Sequence, residues 1–301
     1  MNVLPFDKQI QAIVALTEGV SIRATERLTG IHRDTIMRLG VRVGQGCARL
    51  HDGLMRELNV PLIELDEIWS YVGKKRRQVQ PEDGAEVGDQ YVFIALDAIN
   101  KAILSYRVGK RDGTNTRKFA WDLRERVLNS PQISSDAFPA YPEAIATAFG
   151  DEVHYGQIHK RYVGEPPTNA ARRYSPGVVV AVERRRVIGF PTRFQTSTSY
   201  VERQNLSLRM SQRRFTRLTN GFSKKLENHK AAVALYVAHY NLCRVHEALR
   251  TTPAMALGVA DHIWEIGELV EAATSGEVPT PPGRAVRGLR VIEGGRSETN
   301  R

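Results

Sequence analysis

The order of apolar segments between residues 60 and 155 is the feature that most constrains how this chain can fold. In order, the segments are strands over 60–72, 91–100 and 101–108, a helix over 115–128, a strand over 133–135, a helix over 141–149 and a strand over 152–155. Three strands followed by alternating helices and strands predict a mixed α/β sheet. The dipeptide Asn100-Lys101 is the expected tight turn between the second and third strands.

Ahead of this region, residues 8–44 carry the apolar spacing of helices. Ser21 is a suitable N-cap for a helix that begins at the next residue, and Gly30 lies in a short turn before a third helix over 33–43. A helix, a short glycine-containing turn and a second helix fit a helix-turn-helix, although an ordinary three-helix packing unit fits the periodicity equally well. The third helix would present Arg33, Thr35 and Arg38 to base edges or phosphates.

The charge of the chain favours the DNA-binding interpretation. There are 43 Lys and Arg residues against 33 Asp and Glu residues, which gives a formal net charge of +10 and a pI near 9.7. A surplus of this size suggests a polyanionic partner, and nucleic acid is the commonest.

The sequence also indicates the compartment of the protein and the role of its cysteines. No run of about 18 apolar residues could cross a membrane, and the first residues lack the pattern of a signal peptide, so we expect a cytoplasmic protein without membrane contact. The only cysteines, Cys47 and Cys243, are too few for a four-ligand zinc site and are expected to be idle thiols.

The remainder of the chain is predicted to be basic and then helical. Residues 156–198 are interpreted as an irregular basic insertion, and helices are expected over 199–215, 224–240 and 254–273. The proline- and glycine-containing tail from residue 274 is expected to be disordered. The predicted domains are therefore a helix-turn-helix domain over 1–59, a catalytic domain over 60–260 and a C-terminal helix with its tail over 261–301.

Three acidic residues stand at positions where carboxylates could hold divalent cations. Asp66 lies inside an apolar strand, Asp136 directly follows a short strand, and Glu202 lies in the first turn of a helix. Such a site needs carboxylates on rigid elements, and a charge on a central strand is costly unless it is paired or bound to metal. Each acid also has a structural interpretation: a paired strand-edge residue for Asp66, a helix N-cap for Asp136 and a dipole partner for Glu202.

The helix that carries Glu202 has two distinguishable faces. Glu202, Arg209 and Arg213 are spaced to share one face, which suits metal and then DNA phosphate, or simply a solvated basic surface. The other face is apolar and should pack against the sheet; it consists of Val201, Leu208 and Phe215.

Several of these segments together resemble the DDE-type insertion-sequence transposases, and most closely the family of insertion sequence one. The resemblance covers roughly residues 8–260 and rests on four blocks. These are Leu65-Asp66-Glu67-Ile68-Trp69-Ser70-Tyr71-Val72, Ser134-Ser135-Asp136, Ser199-Tyr200-Val201-Glu202-Arg203-Gln204-Asn205 with Arg213-Arg214-Phe215, and Tyr240-Asn241 with Arg244, His246, Leu249 and Thr251-Thr252-Pro253-Ala254.

The resemblance implies an RNase H-like catalytic core with Asp66, Asp136 and Glu202 as its catalytic triad. It implies two Mg²⁺ or Mn²⁺ ions per site, cleavage of transposon ends, strand transfer into target double-stranded DNA, and a homo-oligomer of at least two copies in a bacterial, nucleoid-associated setting. Beyond the third helix, the expected DNA contacts are Arg209, Arg213, Arg214, Lys224, Lys225, Arg244 and His246. The cysteine zinc finger that shorter members carry before the helix-turn-helix has no counterpart in this chain.

Two other functions remain open at this point. A DNA-binding regulator would explain the charge and the first 59 residues, but it would leave about 200 further residues and three placed acids without a role. An RNase H-like nuclease that cuts without joining would use the same acids.

Overall fold

The chain forms a mixed α/β structure around one six-stranded sheet. The computed structural model describes residues 4–163, 178–216 and 220–282. The strands are β1 (Leu62–Val72), β2 (Gly88–Asp97), β3 (Ile103–Gly109), β4 (Gln132–Asp136), β5 (His154–Val163) and β6 (Val178–Ile188). They lie in the order β3-β2-β1-β4-β5-β6; β1 to β3 pair antiparallel, β4 is parallel to both β1 and β5, and β6 returns antiparallel to β5.

The helices of the described residues lie before, between and after these strands. They are α1 (Phe6–Thr17), α2 (Ile22–Thr29), α3 (Arg33–Leu54), α4 (Gly113–Arg126), α5 (Tyr141–Phe149), α6 (Ser199–Ser211), α7 (Leu226–Ala238), α8 (Pro253–Ala256) and α9 (Ile266–Ser275). The predicted mixed α/β class and the predicted order of strands and helices through residue 149 are confirmed. Among these helices, none combines the length and the apolar character that crossing a bilayer requires.

The two faces of the sheet pack into two separate buried clusters. Ile63 and Leu65 of β1 belong to a buried cluster that includes residues of α4 and α5, whereas Ile68 belongs to a second cluster with residues of α6 and α7. Successive residues of a strand point to opposite faces, so β1 must be apolar on both sides. The predicted apolar face of α6 is confirmed, because Val201, Leu208 and Phe215 are all buried in the second cluster.

The interpretation of residues 156–198 as irregular was wrong for 156–163 and 178–188, which belong to two strands of the sheet. β5 continues to Val163, and β6 pairs with it along most of its length as the outermost strand. The sequence obscured β6 because Arg184, Arg185 and Arg186 occupy its second half, and charged side chains are typical of an edge strand that is protected from further pairing. The residues between the two strands lie outside the described ranges.

The three N-terminal helices form as predicted, but the third is much longer. Ser21 accepts a hydrogen bond from the backbone N–H of Ala24, and Gly30 adopts a left-handed conformation with φ of 71°. α3 does not end near residue 43; it continues to Leu54 because Gly44 and Gly46 allow close helix crossings. A Cβ on Gly44 would lie 2.2 Å from the carbonyl oxygen of Ala231 in α7.

The second crossing gives a test of this packing. A Cβ on Gly46 would lie 1.9 Å from the carbonyl oxygen of Ala273 in α9, so we expect Gly46→Ala to lower the free energy of unfolding by about 1–3 kcal/mol. Gly40→Ala is the matched control, because its nearest neighbour is a Leu16 methyl group at 3.3 Å and alanine is favoured over glycine in a helix by about 1 kcal/mol. Urea unfolding of both variants measures the difference; equal stabilities would contradict the crossing.

The predicted helix over 254–273 is interrupted. α8 ends at Ala256, Gly258 takes a φ of 77° and the chain resumes helical structure only at Ile266. A left-handed glycine ends the first segment, and the apolar periodicity on either side concealed the break. Most of the tail that the sequence predicts to be disordered, residues 283–301, lies outside the described ranges.

Candidate active site

The three acids singled out from the sequence line one cavity beside the middle of β1 and the end of β4. Its volume is about 420 Å³. The side chains around it come from the sheet, from the segment after β4 and from α6: Asp66, Arg111, Asp136, Ala137, Phe138, Pro139, Ile158, Lys160, Tyr162 and Glu202. The cavity therefore combines three carboxylates with two cations, Arg111 and Lys160.

Asp66 lies in the part of β1 that extends beyond its pairing with β4, which ends at Leu65. The strand alternation directs Asp66 toward α6, and its Oδ2 accepts a hydrogen bond of 2.8 Å from the side-chain amide of Asn205. Burial, followed by the nearby carboxylates of Glu67 and Asp136, raises the pKa of Asp66 to about 7. A carboxyl group in this environment could hold a cation.

Asp136 and Glu67 complete a tight group of acids with Asp66. One carboxylate oxygen from each of the three lies within 4.8 Å of the others. Arg111 bridges two of them, with Nε 3.0 Å from Oε2 of Glu67 and Nη2 3.6 Å from Oδ2 of Asp136. Asp136 also accepts a hydrogen bond of 2.9 Å from the backbone N–H of Phe138, in the loop before α5. The N-cap role considered for Asp136 was wrong, because α5 begins only at Tyr141 and Ala140 occupies its N-cap position.

Glu67 and Arg111 were missed by the sequence reasoning. Glu67 is adjacent to Asp66 and points to the other face of the strand, so alternation argued against a shared site. Its side chain is nevertheless almost fully buried, and burial, followed by Asp136, raises its pKa. A run of three acids, Glu64, Asp66 and Glu67, within one apolar strand was the signal that could have drawn attention to it.

Glu202 lines the same cavity but is held by other partners. Its Oε1 accepts a hydrogen bond of 2.6 Å from the hydroxyl of Thr198 and forms an ion pair with the ammonium group of Lys160 on β5. It is not part of the group formed by Asp66, Glu67 and Asp136. The helix face that was expected to carry both Glu202 and Arg213 does not extend that far, because α6 ends at Ser211 and Arg213 lies beyond it.

The donor set of the cavity fits a hard divalent cation. Carboxylate oxygens are the ligands that Mg²⁺ and Mn²⁺ prefer. Asp66 and Asp136 form the tight group with Glu67, and Glu202 lines the same cavity without belonging to that group. Burial, followed by the charges of Glu67 and Asp136, raises the pKa of Asp66, so a cation that entered the group would relieve a cost already present in the fold.

A second feature is a basic groove of about 1010 Å³ between the N-terminal helices and the segment from α6 to α7. Seven Arg and Lys side chains line it against two carboxylates. The cations are Arg23, Arg38, Arg42, Arg213, Arg214, Lys224 and Lys225, of which five were expected to contact DNA. We call this surface the basic groove. Arg214 also donates a hydrogen bond of 2.7 Å to the Ser223 hydroxyl, so part of its guanidinium is engaged within the fold.

The other expected DNA contacts lie outside the lining of this groove. Arg33 is exposed and Thr35 half-buried at the start of α3, and Arg209 is half-buried near the end of α6. Arg244 is exposed and His246 half-buried after α7; burial, followed by Lys101 and Arg244, lowers the pKa of His246. Their contacts with DNA stay a prediction.

Comparison of the sequence with protein-family models gives no match, and comparison with curated proteins gives none. The interpretation of the site therefore depends on its own geometry. The decisive features are the convergence of Asp66 and Asp136, the entry of Glu202 into the same cavity, and the basic groove.

Proposed function

We propose that this chain is a DDE-type DNA transposase that cleaves transposon ends and joins them to target DNA. The observation that carries the proposal is one cavity lined by Asp66, Asp136 and Glu202, which are far apart in sequence. An RNase H-like core is supported by the sheet, in which three antiparallel strands are followed by parallel ones with helices on both faces. α2 and α3 are the proposed helix-turn-helix.

The acids and cations of the cavity have distinct roles in this reaction. Two Mg²⁺ ions, when bound, lower the pKa of the attacking oxygen and stabilise the charge on the leaving oxygen. Asp66, Asp136 and Glu202 would hold them, and Asn205 keeps the Asp66 carboxylate oriented through its 2.8 Å hydrogen bond. Arg111 and Lys160 neutralise the acids in the metal-free protein and supply positive charge beside the DNA phosphate.

The proposal is favoured over a DNA-binding regulator by the buried acids. A regulator has no use for carboxylates that repel each other in a cleft, and such groups weaken binding to a phosphate backbone. A nuclease that cuts without joining would need the same cavity, and only an experiment separates it from a transposase.

The separating experiment uses a labelled transposon end and a supercoiled target plasmid. With Mg²⁺ or Mn²⁺, we expect the label to become covalently linked to the target, because joining transfers the end itself. Shortened labelled products without any linkage would indicate a nuclease. No cleavage and no linkage, with DNA binding intact, would favour the regulator.

Removal of the ion pair between Lys160 and Glu202 is expected to strengthen the binding of Mn²⁺. Lys160→Met frees the Glu202 carboxylate, so we expect Mn²⁺ to bind about fivefold more tightly, which corresponds to about 1 kcal/mol for one charge pair in a solvated setting. Titration of Mn²⁺ against the DNA-free protein measures the change. Lys225→Met, which lies in the basic groove, is the control and should leave Mn²⁺ affinity unchanged; weaker binding by Lys160→Met would contradict the competition.

The basic groove gives a prediction for DNA binding. We expect Arg38→Ala and Lys225→Ala each to weaken binding to duplex DNA, and each to lower the slope of log K against log salt by about 0.9. Arg117→Ala is the control. It removes the same charge from α4, where the Arg117 guanidinium pairs with Glu143, and it should leave the slope unchanged. Equal effects of all three variants would mean that net charge, rather than the groove, binds the DNA. The full-length chain is required because α3 packs against α7 and α9.

A further inference from the structure

Glu64 is a fully buried acid that lies on β1 two residues before Asp66 and faces the same side of the sheet. Its Oε2 accepts two backbone hydrogen bonds, 2.8 Å from the N–H of Tyr200 and 2.9 Å from the N–H of Val201. Both donors belong to the first turn of α6. A carboxylate of the central strand thus binds the start of the helix that carries Glu202.

This contact replaces the usual cap of the helix. The first N–H groups of an α-helix have no partner within the helix, and the residue before it commonly supplies one. Thr198 occupies that position in α6 but makes no capping hydrogen bond; its hydroxyl donates to Glu202 instead. Glu64 supplies the missing acceptor, and its ionised form also complements the helix dipole. Burial raises the pKa of Glu64, whereas the hydrogen bonds from Val201 and Tyr200 favour the ionised carboxylate.

Two further contacts tie α6 to the same part of the sheet. Lys101, in the turn between β2 and β3, places its ammonium 3.1 Å from the centre of the Tyr200 ring. One turn along the helix, Asn205 donates to Asp66. Glu64 is the buried and charged member of this set, and it binds the residue directly before Glu202.

We propose that Glu64 is a positioning residue for the metal site: it fixes the start of α6 so that the Glu202 carboxylate enters the cavity beside Asp66. The inference rests on the proposed function, because Glu202 matters here as a metal ligand. Glu64 itself does not line the cavity.

The variant Glu64→Gln tests this role. Glutamine keeps the size of the side chain but removes the charge, so its single amide oxygen accepts from the N–H groups of Tyr200 and Val201 more weakly than the carboxylate does. We expect a folded protein with unchanged DNA affinity, a Mn²⁺ affinity weaker by roughly 10-fold or more, and a lower joining rate at saturating DNA. A loss in kcat with an unchanged KM for DNA is the expected pattern.

A matched control and a double variant test whether a general loss of stability, rather than a displaced Glu202, explains weaker binding of Mn²⁺ by Glu64→Gln. Phe119→Leu perturbs the buried core on the other face of the sheet, away from α6, and should leave Mn²⁺ affinity unchanged even where its melting temperature falls as far as that of Glu64→Gln. If Glu64 acts through Glu202, then Glu64→Gln combined with Glu202→Gln binds Mn²⁺ no more weakly than Glu202→Gln alone. Additive losses of Mn²⁺ affinity in the double variant, or an equal loss of Mn²⁺ affinity in Phe119→Leu, would overturn the proposal.

The metal titration separates this inference from the proposed function. If the wild-type protein binds Mn²⁺ with the expected coupling between Glu64 and Glu202 but neither cuts nor joins DNA, the positioning role stands and the transposase proposal fails. If the wild-type protein joins DNA ends and Glu64→Gln matches the Phe119→Leu control, the positioning role fails alone. A wild-type protein that binds no Mn²⁺ contradicts both.

Discussion

Asp66→Asn is expected to abolish both cleavage and joining while the protein still binds DNA. Asparagine keeps the size and shape of the side chain and removes the charge that would hold the cations. A loss of about 4 kcal/mol of transition-state stabilisation corresponds to a rate lower by roughly 1000-fold. DNA affinity should be unchanged or slightly higher, because one repulsion with phosphate is removed.

The control for this variant is Asp97→Asn on the neighbouring strand. Asp97 is fully buried, but its carboxylate accepts hydrogen bonds from the backbone of Ile99 and the side chain of Asn100, and so stabilises the turn between β2 and β3. This variant should retain activity. Asp136→Asn and Glu202→Gln should resemble Asp66→Asn, and double variants should be no worse than the single ones because the residues serve one site. Normal joining by Asp66→Asn would remove the catalytic assignment and favour a regulator.

The stability of the metal-free protein is expected to fall as the pH rises through neutrality. The pKa of Asp66 is raised to about 7 in the folded protein, above its ordinary value of about 3.9 in an unfolded chain. The protonated form is therefore favoured by folding, and this contribution is complete at pH values below about 4 and lost as the pH passes about 7. The raised pKa of Glu67 acts in the same direction.

Divalent metal should reverse this loss. Mg²⁺ or Mn²⁺ binds the ionised acids, so we expect the melting temperature to rise on metal addition at about pH 8, on the order of 5 °C, and to change little at about pH 5.5. Thermal unfolding with metal or with a chelator at both pH values measures this. Asp66→Asn should show a flatter pH dependence and a smaller response to metal, whereas Asp97→Asn should keep both. A metal response that is larger at low pH would contradict the acid cluster.

Much of the fold could be predicted because strands and helices of the sheet obey local periodicity. The apolar run that contains Asp66, the short strand before Asp136 and the apolar face of α6 required no tertiary information. β6 was missed because its arginines and its place at the edge of the sheet conceal the strand pattern. The length of α3 depends on glycines that face α7 and α9, and no local signal shows which helices will cross.

The candidate site could be predicted only in part, for a related reason. Asp66, Asp136 and Glu202 were selected because each stands at a distinctive point of a secondary-structure element. The partners that define their chemistry come from distant segments: Arg111 follows β3, and Lys160 lies on β5. The role of Glu64 follows from where the first turn of α6 docks, which the spacing of residues along the chain does not reveal.

The measurement that most directly tests the central claim is the location of Mn²⁺ by anomalous diffraction from crystals of the wild-type protein bound to a DNA end. We predict two ions about 3.5–4 Å apart in the cavity, with Asp66 contacting both, Asp136 and Glu202 each contacting one, and Lys160 released from Glu202. A single ion held by Asp66, Glu67 and Asp136, with Glu202 still paired to Lys160, would contradict the proposed triad. The absence of Mn²⁺ from the cavity would contradict the metal site altogether.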